Sequence, residues 1–246
     1  EFRRVLFRSY TGSHHAAQVV DGKLLLIGGL GAGYGKVQIY DPATDAWSLG
    51  ADMPWSGGSC SSAVIDGLVY VCGGIVGSST VANLAAYDPV LDQWDASLPP
   101  MPTGVNHAAS ATDGRYLFVF GGRQGGNWPQ PGFDNVQRFD PLTLQWLDSD
   151  QPLSGLSPMP LPRGGTGRAV FHSGRFWVLG GETSGGAVFE DVQTYDPVED
   201  RWALDAPLPT PRHGIDPVRD GDRIWVIGGG VVAGFSASDA VEVLQR

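Results

Sequence analysis

An apolar run that ends in Gly-Gly occurs five times in this chain of 246 residues. The runs are LLLI, VYVC, LFVF, FWVL and IWVI, and their first glycines are Gly28, Gly73, Gly121, Gly180 and Gly228. The first glycines are 45, 48, 59 and 48 residues apart. A period of this length indicates one small structural unit per repeat, and such units must stack to bury a core. The repeat therefore predicts an array of similar units.

A second signature follows the first four Gly-Gly pairs: YDPATDAW, YDPVLDQW, FDPLTLQW and YDPVEDRW. An aromatic residue precedes a tryptophan by seven positions in each copy, and the pairs are Tyr40 and Trp47, Tyr87 and Trp94, Phe139 and Trp146, and Tyr195 and Trp202. Upstream of each Gly-Gly lies a candidate two-residue turn: Asp21-Gly22, Asp66-Gly67, Asp113-Gly114, Ser173-Gly174 and Asp220-Gly221. Three landmarks thus recur in a constant order.

Each landmark has a structural interpretation. Asp-Gly between apolar runs favours a tight hairpin, because glycine accepts a positive φ. The apolar run before Gly-Gly is typical of a strand buried on both faces, and the glycines allow a close approach by a neighbouring backbone or ring. Asp-Pro ends a third strand, and the tryptophan lies on a fourth. Each complete repeat is therefore expected to form a four-stranded antiparallel sheet.

The composition agrees with an all-β protein that contains many turns. The chain has 36 glycines and 18 prolines, and only 17% of its residues are charged. No run of about 18 apolar residues is present, so no membrane insertion is expected. The net charge of −10 repels phosphate backbones and anionic lipid surfaces, so no nucleic-acid partner is expected.

From residue 10 to residue 246 these landmarks resemble the kelch repeat. The resemblance implies a β-propeller with one four-stranded blade per repeat and the first strand of each repeat next to a central channel. The repeats cover about 10–54, 55–102, 103–162, 163–209 and 210–246. The fifth repeat lacks a tryptophan strand, so its blade is expected to lack the outer strand. The family closes its ring by joining strands from the two chain ends, and the five blades are expected to be part of a six-bladed ring.

The segment EFRRVLFRS, residues 1–9, does not share this patterning. It contains three arginines and neither glycine nor proline. It matches the translation of a common sequencing adapter, so we expect it to be a non-native segment joined to an N-terminally truncated fragment.

Candidate ligand-binding residues occur at the strand starts and in the loops after Gly-Gly, which share one rim of a propeller. Counting back seven residues from each turn places His14, Ser59, Asn106, Thr166 and His213 in one polar column. The longest loop, 123–135, carries Arg123, Gln124, Asn127, Trp128 and Phe133. The candidate binding residues are His14, Asn106, His107, Arg123, Trp128, Arg163, Glu182, Arg212 and His213. The alternative is that these polar side chains only solvate a water-filled channel mouth.

The sequence indicates no catalytic motif, metal site or cofactor. GLGAGYG is not followed by a helical pattern, and HExxH, CxxC and GxSxG do not occur. Cys60 and Cys72 flank a predicted hairpin with Ser61 opposite Cys72, so a disulfide is not expected. Two enzyme families resemble this fold. The copper-radical galactose oxidases need a ligand set that does not map here, and the sialic-acid mutarotases use charged rim residues.

The expected function is therefore a non-catalytic kelch recognition module that binds a protein or glycan at the long-loop face. Kelch repeats serve as substrate adaptors in animals and often accompany carbohydrate-binding modules in bacteria. A bacterial, extracellular or periplasmic location is expected from the resemblance alone. The alternative is a sugar-processing enzyme similar to the mutarotases or to galactose oxidase. In a mutarotase-like enzyme Arg123, Arg163, Glu182 and Arg212 are the candidates for the charged rim residues.

Overall fold

The computed structural model describes residues 8–125, 132–183 and 186–245, which form five consecutive antiparallel sheets, or blades. Blade 1 contains β1 (Ala16–Val20), β2 (Lys23–Ile27), β3 (Val37–Asp41) and β4 (Ala46–Gly50). Blade 2 contains β5 (Ser61–Ile65), β6 (Leu68–Cys72), β9 (Leu84–Asp88) and β10 (Gln93–Asp95), with a small hairpin of β7 (Ile75–Val76) and β8 (Ser79–Thr80) in its loop.

Blade 3 contains β11 (Ala109–Thr112), β12 (Leu117–Phe120), β13 (Val136–Asp140) and β14 (Gln145–Asp148). Blade 4 contains β15 (Val170–His172), β16 (Arg175–Leu179), β17 (Val192–Asp196) and β18 (Arg201–Asp205). Blade 5 contains only β19 (Val218–Asp220), β20 (Arg223–Ile227) and β21 (Val241–Gln245). The all-β propeller fold and the three-stranded last blade are confirmed. No helix is present in the described ranges.

The hairpins follow the predicted register in three of five blades. Val20 pairs with Lys23, Ile65 with Leu68, and His172 with Arg175, so each turn has two residues. In blade 3, by contrast, Thr112 pairs with Leu117. The Asp113 carboxylate there accepts the N–H groups of Arg115 and Tyr116, which stabilises a four-residue loop. In blade 5 Asp220 pairs with Arg223, so the turn is Gly221-Asp222 and the prediction was off by one residue.

The Gly-Gly pairs connect each blade to the next one. A Cβ at the first glycine would lie too close to a carbonyl oxygen of the following blade: Gly28 to Gly57 at 2.5 Å, Gly73 to Val105 at 2.4 Å, Gly121 to Arg163 at 2.6 Å and Gly180 to Arg212 at 2.1 Å. The second glycine donates its N–H to the same carbonyl, at 2.9 Å for Gly29, Gly74 and Gly122 and 2.8 Å for Gly181. Glycine is required here because any side chain would push the blades apart.

The hydrophobic core lies between neighbouring blades. Leu25 and Ile27 of blade 1 pack against Val69, Val71 and Tyr87 of blade 2. Equivalent clusters join blades 2 and 3, blades 3 and 4, and blades 4 and 5. Cys60 and Cys72 are free thiols, and Ser61 lies opposite Cys72 as expected. This stacking places the first strands together around a channel, and the candidate site lies at its mouth.

Residues 1–7 lie outside the described part of the chain. The interpretation of residues 1–9 as a non-native segment therefore stays a prediction.

Candidate functional site

The strand starts form a ring around the channel mouth. Ser59 donates its N–H to the His14 carbonyl at 2.9 Å, and His107 donates to the Ser59 carbonyl at 3.1 Å. The residues at this level all have a positive φ: His14, Ser59, His107, Gly165 and Gly214. This column differs from the predicted one in blades 3 and 4 because the distance from the column to the hairpin is different there. In blade 5 it differs because the turn lies one residue later than predicted.

A cavity of about 1270 Å³ opens at this mouth and collects most of the predicted site residues. His14, His107, Arg123, Glu182 and His213 line it together, although they come from four different blades. The loop after Gly73-Gly74 and the loop after Gly228-Gly229 contribute further walls. The long-loop rim is thus the same face as the strand starts, as the alternating strand directions predict.

An ion-pair network crosses the cavity floor. Arg123 Nη1 donates to Glu182 Oε1 at 2.9 Å, and Glu182 Oε2 lies 3.5 Å from His213 Nε2. The Glu182 side chain is only 3% exposed, and its Oε2 also accepts the Gly234 N–H at 2.8 Å. Burial lowers the pKa of Arg123, an effect that the Glu182 charge opposes. Blades 3, 4 and 5 are therefore tied together by buried charge.

A pair of histidines occupies the opposite side of the cavity. The rings of His14 and His107 meet edge to face, with centroids 5.1 Å apart. His107 Nδ1 lies 2.6 Å from the Asn106 side-chain oxygen, so this nitrogen carries a proton, and Nε2 lies 3.0 Å from Ser59 Oγ. Burial, and then the positive Arg123, lowers the pKa of His107 to about 2. Partial desolvation by the surrounding cavity wall, followed by the positive Arg123, also lowers the pKa of His14.

Neutral imidazoles beside serine hydroxyls give this side of the cavity hydrogen-bonding capacity without charge. His14 is exposed, and its Nδ1 lies 2.8 Å from Ser13 Oγ. His107 is more enclosed and has both ring nitrogens occupied. Of the two, His14 is the residue that a ligand can contact.

Three predicted site residues are structural. Asn106 is fully buried and donates to Thr80 Oγ1 at 2.6 Å and to the Gly125 carbonyl at 3.2 Å. Arg163 and Arg212 are also fully buried and lie outside the cavity lining. The buried arginines hold the loop carbonyls of blades 4 and 5, because Arg163 Nη1 donates to Gly180 at 2.7 Å and Arg212 Nη1 to Gly228 at 2.9 Å.

Trp128 and Asn127 lie outside the described residues. Of the remaining long loop, Phe133 packs into the cluster between blades 2 and 3 and is not a rim residue.

Sequence reasoning missed Arg168, which lies at the base of the cavity. Its Nη2 donates to Gln18 Oε1 at 3.2 Å, a contact between blades 4 and 1. The signal was weak because an arginine just before an inner strand has no motif around it.

No group of three histidine, cysteine or acidic side chains suited to a metal ion occurs within residues 8–125, 132–183 and 186–245. In the same ranges no helix is long and apolar enough to cross a membrane.

Comparisons with known proteins agree with this architecture. The Kelch motif matches residues 11–54, 57–102 and 105–148. A kelch-like protein, terF, from Aspergillus terreus is 32% identical over 95% of this chain and 53% of its own length. Beta-scruin from Limulus polyphemus is 28% identical over 91% of this chain and 25% of its own length. The chain thus spans about half or less of the length of these two relatives.

The solved structure of a protein called YjhT superposes on this chain with a TM-score of 0.79. The superposition covers 96% of this chain and 82% of that one at 17% identity, so it supports the fold alone. The motif matches, together with the similarity to terF along nearly the whole chain, show that this chain belongs to the kelch-repeat family.

Proposed function

We propose that this chain is a non-catalytic recognition module that binds a segment of a partner protein at the channel mouth. The observation that carries the proposal is the convergence of His14, Arg123, Glu182 and His213 from four blades on one open cavity. Concave sites that combine a few fixed polar groups with apolar walls are typical ligand sites. Here the walls include Leu26, Leu30 and Ile75.

The state of Glu182 favours recognition over catalysis. One carboxylate oxygen accepts from Arg123 and the other from the Gly234 N–H, and the side chain is almost fully buried. A general acid or base must reach the substrate proton within hydrogen-bond distance. Glu182 is instead part of the framework that shapes the cavity.

A glycan is the second candidate ligand, and it too is supported by the cavity lining. Ser13, Ser59 and the exposed His14 offer hydrogen bonds to hydroxyl groups, and Tyr34 and Phe235 are exposed aromatic rings at the mouth. Aromatic rings with adjacent polar groups can stack on sugar faces. If the glycan is also a substrate, the sugar-processing alternative applies.

The test separates these candidates by screening the immobilised chain against a displayed peptide library and a glycan array. We expect peptide ligands whose affinity falls at least tenfold in His14→Ala and Arg123→Ala. Arg175→Ala is the matched control, because Arg175 pairs with Asp196 at the hairpin end of blade 4, away from the cavity. Selected peptides that bind both cavity variants as tightly as the unaltered chain would refute recognition at this site. Glycan binding alone would favour the second candidate, and turnover of a bound glycan would favour the enzyme.

We also propose that the complete ring contains a sixth blade. Gly228 occupies the position at which the earlier blades receive a carbonyl from the next blade, but the nearest atom to its Cβ position is Ser238 O of the same blade, at 3.6 Å. The Gly229 N–H has no acceptor among the described residues. The outer face of blade 5 also exposes Ile227, Val241 and Val243. These features support a further blade that would cover this face.

A further inference from the structure

A second cavity lies in the channel at the opposite end from the mouth, where the first strands lead into their hairpins. We call it the hairpin-end cavity. Its volume is about 360 Å³, which is within the range of small-ligand sites. All five blades line it, through Gln18 and Val19, Ala63 and Val64, Ala111 and Thr112, residues 168–171, and residues 217–219. Its walls are therefore mostly apolar side chains at the ends of the inner strands.

A belt of hydrogen bonds lies between this cavity and the one at the mouth. Gln18 Nε2 donates to Ser62 Oγ at 2.8 Å, and Ser62 donates its N–H to Ser110 Oγ at 2.9 Å. The Ser110 carbonyl accepts the Ala169 N–H at 3.0 Å. Arg168 completes the belt, because its Nη2 donates to Gln18 Oε1 at 3.2 Å. Arg168 is also the one described residue that lines both cavities, so the two ends of the channel are distinct sites.

The Arg168 guanidinium has no anionic partner among the described residues. The buried arginines Arg123, Arg163 and Arg212 each pair with a carboxylate, whereas Arg168 forms no ion pair in the described part of the chain. A guanidinium presents several N–H donors, and the one hydrogen bond that this group makes to a described residue goes to the neutral Gln18 amide. Its Nε–H is buried without a partner. A positive charge enclosed in this way is unfavourable unless an anion joins it.

Asp216 does not supply that anion. Its Oδ1 accepts the Arg168 backbone N–H at 3.0 Å, and its side chain lines the mouth cavity, not the hairpin-end cavity. Desolvation raises the pKa of this carboxyl group, an effect that the Arg168 charge and the N–H oppose. None of the described residues that line the hairpin-end cavity is acidic, and Arg219 adds a second positive charge there. The cavity is therefore positively charged in a chain whose net charge is −10.

We propose that the hairpin-end cavity binds a small molecule with an apolar body and one carboxylate, of the class of short-chain fatty acids. The carboxylate accepts hydrogen bonds from the remaining Arg168 donors, since a guanidinium matches the geometry of a carboxylate. The apolar body lies against Ala63, Ala111 and Val170. Val19 and Val218 are exposed at the rim and form the apolar entrance. This site is separate from the recognition site proposed at the mouth.

The test is a titration of the full chain with hexanoate at pH 7 and constant ionic strength, followed by NMR of the backbone amides. We expect shift changes at Ala63, Ala111 and Ala169 and none at His14. Hexanamide has the same chain without the charge, so it should bind about tenfold more weakly, because hydrogen bonds between charged groups are the stronger ones. Sulfate should also bind more weakly than hexanoate, because it gains nothing from the apolar walls.

Two arginine variants identify the residue responsible. Arg168→Gln removes the charge at the belt and should lower the affinity for hexanoate about tenfold. Arg175→Gln is the matched control, because Arg175 lies in the blade-4 hairpin at the same end of the molecule but pairs with Asp196 and does not line the cavity. Its affinity for hexanoate should equal that of the unaltered chain.

A second pair of variants serves if Arg168→Gln does not fold. Val218 is exposed, so Val218→Glu and Val218→Gln should both fold, and only the glutamate should weaken hexanoate binding by repulsion. Equal affinities of these two variants, or an unchanged affinity in Arg168→Gln, would overturn the proposal. Unshifted amides at Ala63 and Ala111, or binding of hexanamide or sulfate as tight as that of hexanoate, would also overturn it. The peptide screen depends on His14 and Arg123, which do not line this cavity, so either proposal can fail alone.

Discussion

The Tyr87 hydroxyl donates to the Asp92 carboxylate at 2.6 Å, and the same Oδ1 accepts the Ala51 N–H of the preceding blade at 2.6 Å. The Ala51 carbonyl in turn accepts the Trp94 indole N–H at 2.9 Å. Blade 4 repeats the arrangement with Tyr195, Asp200, Ser157 and Trp202. In blades 2 and 4 the aromatic–tryptophan signature therefore connects neighbouring blades. The two rings contact each other within the blade in a tilted arrangement, with centroids 5.0 Å apart for Tyr87 and Trp94.

Removal of the Tyr87 hydroxyl should weaken this connection. Tyr87 is fully buried, and Tyr87→Phe deletes a donor to a charged group, so we expect the free energy of unfolding to fall by about 1–2 kcal/mol. The measurement is urea denaturation, and Val90→Ala is the control because Val90 is exposed on the adjacent turn. Equal stability of Tyr87→Phe and the unaltered chain would contradict the role of this hydrogen bond.

The Tyr87 hydroxyl, followed by the Ala51 N–H, lowers the pKa of Asp92. The ionised form is therefore favoured in the folded state. Its contribution to stability is present above the unfolded pKa and is lost as the pH falls through the lowered folded value. The Tyr87→Phe chain should accordingly lose less stability on acidification than the unaltered chain.

Blade 3 lacks all three polar partners of this connection. Phe139 has no hydroxyl, Leu144 replaces the aspartate, and Pro99, whose carbonyl accepts from Trp146 at 3.0 Å, has no N–H to donate. Leu144 also has a φ of 55°, a conformation that aspartate tolerates better than leucine. The three substitutions in blade 3 are consistent with one another. A tyrosine hydroxyl, an aspartate carboxylate or a backbone N–H at any one of these positions would lack its hydrogen-bond partner when the other two are absent.

Polar groups introduced into blade 3 should therefore stabilise only in combination. We expect Phe139→Tyr alone to be destabilising, because it buries a hydroxyl without a partner, and Phe139→Tyr with Leu144→Asp to recover a coupling of about 1 kcal/mol. Addition of Pro99→Ala supplies the missing N–H and should strengthen the coupling. A double-mutant cycle by denaturant unfolding measures it, and strictly additive effects would contradict the explanation.

Acid should destabilise the channel mouth through His107. The pKa of His107 is lowered to about 2, whereas an unfolded histidine titrates near 6.5. Between these values the unfolded chain binds a proton that the folded chain does not, so stability falls as the pH drops below about 6.5. His107→Asn, which suits the positive φ of this residue, should flatten the pH dependence of the unfolding free energy. An unchanged slope between pH 7 and pH 5 would exclude His107 as its source.

The outer faces of blades 1 and 5 should promote self-association. Val19 and Leu49 of blade 1 and Ile227, Val241 and Val243 of blade 5 are all exposed. We expect concentration-dependent oligomers by light scattering, and an extended chain with a sixth blade should be monomeric with a higher midpoint of denaturation. Ile227→Lys with Val243→Lys should reduce the association without the added blade. A monomer of residues 10–246 as stable as the extended chain would contradict the proposed sixth blade.

The repeat landmarks alone determined the fold class. Tyr87 lies opposite Trp94, Phe139 opposite Trp146, and Gly73-Gly74 meets the backbone of the next blade, as the patterns predict. These features could be predicted because strand alternation, proline and glycine act through local geometry, and four or five copies make each local signal unambiguous.

The tertiary structure decided which polar residues share the cavity. Arg163 and Arg123 were equivalent candidates by sequence, yet Arg163 is buried on the backbone of blade 4 while Arg123 reaches Glu182 across the channel mouth. Gly234 carried no signal, although its amide and carbonyl both contact the network. Such contacts join residues 52 and 21 positions apart, and they depend on how blades stack and on the exact length of each first strand. No local sequence pattern encodes the stacking of the blades or the exact length of each first strand, because the interaction energy arises only when separate blades meet around the channel.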